Sequence, residues 1–244
     1  MKIERLFFAG KKGCNNGCKY CFSYWGGPPA LATMPYALQS SGNIIVYPIC
    51  DSELSQQDEN FWLSLKRCLE NNPKCMLSIS TKEEWSDATL DRIDDIRRKA
   101  GGTRIKLSVS ITCKSMIKEL EPKASDYDSR IRLLQQLEER GIRHSVMLKP
   151  LLPFISFKEY CEIVNDASAV CKDFVTGDLY VDQTTVFFRK YILGKYKVER
   201  RYCEWMQRYV DYVAHPQEQE ISQHIKLKNL NWYSSDADFL LKQK

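Results

Sequence analysis

No stretch of about 18 apolar residues occurs in this chain, so the sequence contains no candidate membrane-spanning helix. The first residues, Met1-Lys2-Ile3-Glu4-Arg5, carry none of the long apolar core of a secretory signal. Strong charge of one sign is also missing. The formal net charge is +5 over 244 residues, which permits an anionic ligand without calling for nucleic acid. The basic runs Arg97-Arg98-Lys99 and Lys195 to Arg201 read as solvated helix faces. No basic–aromatic groove stands out, so nucleic acid is not expected as a partner. There is no internal repeat, no low-complexity segment and no second Cys-x2-Cys pair. Histidine is scarce, with only His144, His215 and His224, all remote in sequence from the clustered cysteines.

What is present is ten cysteines, of which Cys14, Cys18 and Cys21 are clustered, and an apolar fraction of 43%, enough for a sizeable core. In a chain of this length without an export signal the thiols are expected to be reduced, which places the protein in the cytoplasm. Thiolates select iron–sulfur clusters, zinc or copper(I). A four-iron cluster ordinarily takes four cysteines, and three leave one iron open to another ligand. The competing reading is structural zinc, whose fourth ligand would come from a distant histidine or cysteine. Cys68, Cys75, Cys113, Cys161, Cys171 and Cys203 have no ligand spacing and read as small buried hydrophobes.

Along the chain, short apolar runs alternate with helical periodicity. Strands are expected at 5–9, 43–49, 74–80, 104–112, 142–149 and 173–181. Helices are expected at 57–70, 87–99, 114–120, 126–140 and 157–170, with Ser125 as a cap. Residues beyond about 182 read as mostly helical. Alternating strands and helices imply parallel βαβ units. The expectation is therefore an α/β fold, a partial (β/α)6 barrel over residues 1–182 with a mostly helical extension over 183–244 packed on it. Sites in such barrels lie at the C-terminal strand ends, which is where the cysteine loop falls.

Side chains alternate across a strand. That puts Ser78, Ser80 and Lys82 inward from the third strand, Lys106, Ser108 and Ser110 from the fourth, and Met147 and Lys149 from the fifth. From the sixth it puts Asp178, Tyr180 and Asp182 inward. Polar groups of this kind are costly to bury unpaired, so a ligand, or one another, is their expected partner. For Lys149 the alternative is an internal ion pair with Asp178 or Asp182. Just past the cysteines, Phe22, Tyr24 and Trp25 can stack on a flat ligand or belong to the core.

Gly13-Cys14-Asn15-Asn16-Gly17-Cys18-Lys19-Tyr20-Cys21-Phe22 resembles the radical S-adenosylmethionine (SAM) signature, Cys-x3-Cys-x2-Cys with an aromatic residue before the last cysteine. The resemblance implies a 4Fe-4S cluster held by Cys14, Cys18 and Cys21, SAM on the open iron, and reductive SAM cleavage to a 5′-deoxyadenosyl radical. It also implies an electron donor such as flavodoxin or ferredoxin.

Ile79-Ser80-Thr81-Lys82, Ser108-Val109-Ser110-Ile111-Thr112, Leu120-Glu121-Pro122-Lys123-Ala124, Arg130 and Gly141-Ile142 look like the branch that includes the spore photoproduct lyases. Carried over, that likeness gives Ser52 with Asp51 or Glu53, Lys82, Ser110 and Arg130 as SAM-binding residues, Lys82 and Arg130 toward the methionyl carboxylate; Glu53 is taken as the acid, and the inward-facing Ser108 is assigned with them. It gives Cys50 as a hydrogen-donating cysteine, against the alternative of a buried structural thiol. The branch also holds small-molecule enzymes, queuine lyases among them, which cut the cyclopentenediol side chain from a modified base and release 7-aminomethyl-7-deazaguanine. The compact chain suits such a lyase, with Cys50 and Lys149 as catalytic residues and Tyr24, Asp178, Tyr180 and Asp182 meeting a modified nucleobase. A DNA-repairing lyase and a non-catalytic zinc module are the alternatives.

Overall fold

The computed structural model describes residues 3–8, 14–23, 27, 30–31, 34, 43–49, 52–72, 75–100 and 105–241. Cys50 and Tyr24, to which the sequence assigns catalytic and substrate-binding roles, lie outside them.

Seven strands form one sheet in which every pairing is parallel: β1 (Ile3–Phe7), β2 (Asn43–Tyr47), β3 (Cys75–Thr81), β4 (Ile105–Ser110), β5 (His144–Leu148), β6 (Asp173–Thr176) and β10 (Asn231–Tyr233). The first six are the strands of the expected partial barrel, in sequence order. Helices α1 (Glu59–Asn71), α2 (Asp87–Lys99), α4 (Tyr127–Glu139) and α5 (Phe157–Ala167) connect them, and a short α3 (Ile117–Leu120) precedes α4. Asp58, Ser86, Asp126 and Ser156 cap the four long helices, each side chain accepting a first-turn backbone N–H. The cap of α4 is thus Asp126, while the Ser125 hydroxyl accepts from the Glu84 N–H.

The sixth expected strand, 173–181, divides at Gly177. Asp173–Thr176 stays in the parallel sheet, whereas β7 (Leu179–Val181) joins an antiparallel sheet with β8 (Glu199–Cys203) and β9 (Arg208–Val213), in the order β7-β9-β8. The extension carries the expected helices, α6 (Val186–Tyr191), α7 (Glu218–Leu227) and α8 (Asp236–Leu241), and adds the β8–β9 hairpin and β10. The basic run 195–201 accordingly enters β8 rather than a helix.

Alternation places Leu77, Ile79, Ile105, Leu107, Val109 and Val146 under the helices, all within 1% of full burial. The opposite face forms the lumen. Its lower end is filled by α8, whose Ala237 and Leu240 pack with Ile45 and against Met76, and whose Phe239 packs with Val175. Lys106 completes that floor. Its ammonium donates to the backbone carbonyls of Phe239, at 2.6 Å, and Leu240, in the helix's last turn. The partner of this inward lysine is therefore the chain itself. No helix among the described residues is long and apolar enough to cross a membrane.

Candidate active site

Above that floor lies a cavity of about 240 Å3 at the C-terminal ends of the strands. Cys14, Cys18 and Cys21 line one side of it, in the loop after β1. Gly17 sits between the first two at a φ of 63°, a left-handed conformation that glycine adopts without penalty and that turns the loop back. Backbone bonds fasten this loop to the segment after α3: Lys19 N donates to Leu120 O at 2.9 Å and Lys123 N to Asn16 O at 3.2 Å. Burial pushes the Cys14 thiol up to about 11 and the Cys18 thiol up to about 12, the nearby Lys82 charge opposing it in both. A coordinating metal would reverse this, since a thiol bound to a metal gives up its proton.

Tetrahedral zinc holds each sulfur at about 2.3 Å, which needs side chains converging on one point. Among the described residues no three cysteine, histidine, aspartate or glutamate side chains converge in that way. The histidines are engaged elsewhere. His144 bonds to the Ile142 and Val170 carbonyls, His215 bonds to the Ile155 carbonyl and accepts from Gln217 N, and His224 meets Asn165. Cys14, Cys18 and Cys21 line one cavity, and their chemistry suits a four-iron cluster held by three thiolates with one iron left open.

Beside the cysteines, the strand ends contribute Ser52, Glu53, Lys82 and Ser110. Glu53 is buried and accepts from Asn16 Nδ2 at 2.7 Å, Thr81 Oγ1 at 2.6 Å and Lys82 N at 3.1 Å. Burial still pushes its carboxyl up to about 7. Lys82 Nζ donates to Ser110 Oγ at 3.1 Å, lies 3.8 Å from Glu121 and sits over the Tyr20 ring. Ser52 Oγ accepts from Gln57 Nε2 at 2.9 Å.

Three of the expected site residues are not among those that line the cavity. Arg130 is fully enclosed, and its guanidinium donates to the Ser110 and Ser125 carbonyls and to Glu121, so it braces the wall from behind and does not reach the cavity. Ser108 bonds Ser145 at 2.9 Å and is not among the residues that line the cavity. Asp182 accepts from Thr184 N and Oγ1 in the turn before α6 and faces a separate shallow depression with Arg200 and Arg208, because β7 has left the main sheet.

Lys149, Asp178 and Tyr180 do line the cavity. The partner of Asp178 is Arg201, at 2.7 Å, so the internal Lys149–Asp178 pair does not form. Phe22 also lines the cavity, while Trp25 lies outside the described residues. Sequence reasoning missed Arg5, Phe7, Tyr47, Trp205 and Asp236, all of which line the same cavity. Alternation in β1 and β2 could have found Arg5, Phe7 and Tyr47. Trp205 and Asp236 arrive from the extension, where no sequence period announced them.

The fold is that of the radical SAM enzymes. One similar structure is a spore photoproduct lyase complexed with dinucleoside spore photoproduct, at a TM-score of 0.61 and 16% identity, covering 92% of this chain and 75% of that one. A cysteine-to-alanine mutant of spore photoproduct lyase with the same dinucleoside gives 0.63 and 14%, covering 96% and 81%. SuiB of Streptococcus suis bound to S-adenosylmethionine gives 0.58 and 12%, covering 95% of this chain and 49% of that one. No protein-family model matches the chain, and no curated protein matches its sequence.

Proposed function

We propose that this chain is a radical SAM lyase that breaks a carbon–nitrogen or carbon–carbon bond in a modified nucleobase, with queuine as the specific substrate. The observation that carries the reading is the meeting of Cys14, Cys18 and Cys21 with Lys82, Ser110 and Glu53 around one cavity at the strand ends of this fold. When bound, a 4Fe-4S cluster and SAM, with one electron from a donor such as flavodoxin or ferredoxin, supply a 5′-deoxyadenosyl radical.

In this reading the three cysteines hold the cluster. Lys82 and Ser110 bind the methionyl carboxylate of SAM, and Glu53 with Ser52 takes its ammonium side. Glu53 suits a cationic partner: its carboxyl is desolvated, and an ammonium would replace the water it has lost. Lys149 holds the substrate at the cavity mouth, and the enclosing walls keep water from a reactive centre. Asp178 and Tyr180 meet the base.

The test is to reconstitute the protein anaerobically, reduce it, and add SAM with queuine. The expected products are 5′-deoxyadenosine and 7-aminomethyl-7-deazaguanine; iron-loaded protein that yields neither rejects the reading. A second reading, a lyase acting on a DNA photoproduct, is favoured by the likeness to spore photoproduct lyase. Repair of ultraviolet-damaged DNA without turnover of queuine would select it.

A further inference from the structure

The cavity that holds the cysteines is also lined by a run of aromatic rings. Tyr180, Phe22 and Trp205 touch one another, with centroids 5.6 to 6.1 Å apart. Trp205 also meets Phe7 at 5.8 Å, and Phe7 stacks on Tyr47 at 4.6 Å and 15°. Phe22 stands edge-on to Tyr180 and Trp205, at 89° and 79°, and Trp205 is tilted 49° from Tyr180 and 37° from Phe7, so the rings form one contiguous aromatic wall centred on Trp205.

A carboxylate stands at each end of the wall. Beside Tyr180 is Asp178, one oxygen of which takes the Arg201 guanidinium at 2.7 Å. Arg201 is itself held over the Tyr212 ring at 4.2 Å and donates to the Tyr180 hydroxyl at 3.3 Å. Beside Tyr47 is Asp236, one oxygen of which accepts from the Tyr47 hydroxyl. The second oxygen of each carboxylate has no partner among the described residues and remains able to accept.

Trp205 occupies the centre of this wall and reaches it from the four-residue turn between β8 and β9. The turn closes through Met206 N to Cys203 O and Gln207 N to Glu204 O, with Gln207 at a φ of 55°. It is the hairpin tip, not the barrel, that supplies the largest ring.

The geometry points to a substrate subsite for a free planar heterocycle with N–H donors at two opposite edges, in which Trp205 is the specificity-determining stacking residue and Arg201 the positioning residue that aims Asp178. This deepens, and rests on, the reading of the cavity as the substrate site of a radical enzyme. Guanine-class bases meet the requirement, since an amidine edge suits one carboxylate and a cationic or hydroxylated substituent the other. A thymine-type dinucleoside monophosphate, with few donors and an anionic phosphodiester, does not.

The test measures binding, not turnover. Cluster-reconstituted protein with SAM is titrated with 7-deazaguanine by calorimetry, with thymidylyl-thymidine as the contrasting probe. Saturable binding of the base, weakened about tenfold or more in Trp205→Ala and largely retained in Trp205→Phe, is the expected result. Arg201→Met should weaken the base as well, and Asp178→Asn should weaken it with SAM affinity unchanged. Failure of 7-deazaguanine to bind, equal binding to Trp205→Ala, or preference for the dinucleoside would each overturn the inference. Iron content and SAM affinity in the same preparations separate the two levels. Iron-loaded protein that binds SAM and ignores the base defeats this inference alone, whereas protein that holds no iron defeats the reading beneath it.

Discussion

Lys82 Nζ stands 3.8 Å from the carboxylate of Glu121, and that carboxylate is shared with the enclosed Arg130. Burial works against the ammonium, but Glu121 holds the Lys82 pKa above the ordinary lysine value. Lys82 therefore remains a cation beside the cysteines, aimed into the cavity. Removing it in Lys82→Ala should weaken SAM binding about tenfold or more, the worth of a charge-assisted bond, while iron content stays unchanged. Equilibrium dialysis with labelled SAM, alongside iron analysis, measures both; unaltered SAM affinity would remove Lys82 from the site.

Glu121 carries more of the structure than of the chemistry. It accepts from the Tyr20 hydroxyl, from Thr112 Oγ1 at 2.7 Å and from Arg130, all buried. Burial raises its pKa, and the Lys82 and Arg130 charges outweigh that and lower it. Glu121→Gln leaves Arg130 without its charge partner and faces an amide N–H toward other donors. Breaking a buried pair from one side costs about 3–5 kcal/mol. Denaturant unfolding should show a loss of that order, and Lys82→Met, which keeps the Glu121–Arg130 pair, should show much less.

Gly177 marks the point where the sixth strand leaves the barrel, and it also sets the course of Lys149. A Cβ at Gly177 would lie 2.9 Å from Lys149 Cδ and 3.0 Å from its Cε. The clash falls on a flexible side chain, so Gly177→Ala should fold normally and push the Lys149 ammonium aside. Displacements near 1 Å can cost up to about a hundredfold in rate. Turnover should fall at least tenfold with Tm and SAM affinity little changed. The Gly177→Ala, Lys149→Ala double variant should be no worse than Lys149→Ala alone, because both act through one group. Additive losses would show that Gly177 acts otherwise.

Most of the barrel was legible because its signals are local. Apolar alternation in 105–110 and 144–148 and the capped helices between strands give the elements directly, and the same alternation carries Lys82, Ser110 and Lys149 into the cavity. Where that reasoning failed, a nonlocal pairing or a depth along the strand decided the outcome. Read as one strand, 173–181 puts Val175 on the face of Leu179 and Val181, yet Val175 packs with Phe239 in the lumen while Asp178 and Tyr180 line the cavity, so the inward face switches at Gly177; nothing in these residues shows that Leu179–Val181 pairs with β9 instead of β5, and Asp182 is carried away with it. Ser108 and Ser110 share a face, yet only the one nearer the strand end reaches the cavity. Lys106, two residues lower still, meets a helix more than 130 positions away, a contact no period in the sequence encodes.

That contact has a consequence for pH. Burial, with the Arg143 charge adding to it, lowers the Lys106 pKa to about 7, below the ordinary lysine value of 10.5. A lysine with a depressed folded-state pKa binds fewer protons in the native than in the unfolded chain between those two values, so its contribution to stability rises with pH across the window of about 7 to 10.5 and is flat below it. The slope from one such group is at most about 1.4 kcal/mol per pH unit. The neutral amine keeps two N–H donors for the Phe239 and Leu240 carbonyls, so the floor of the cavity stays bonded as the proton leaves. Lys106→Met removes the titrating group. The stability of the unaltered protein relative to Lys106→Met, read from urea unfolding at pH 7, 8 and 9, should therefore increase with pH. Cysteines and tyrosines titrate equally in both proteins and cancel in the difference. A difference that is constant, or that shrinks as pH rises, would mean that Lys106 keeps its proton in the fold and that α8 is held by a full charge.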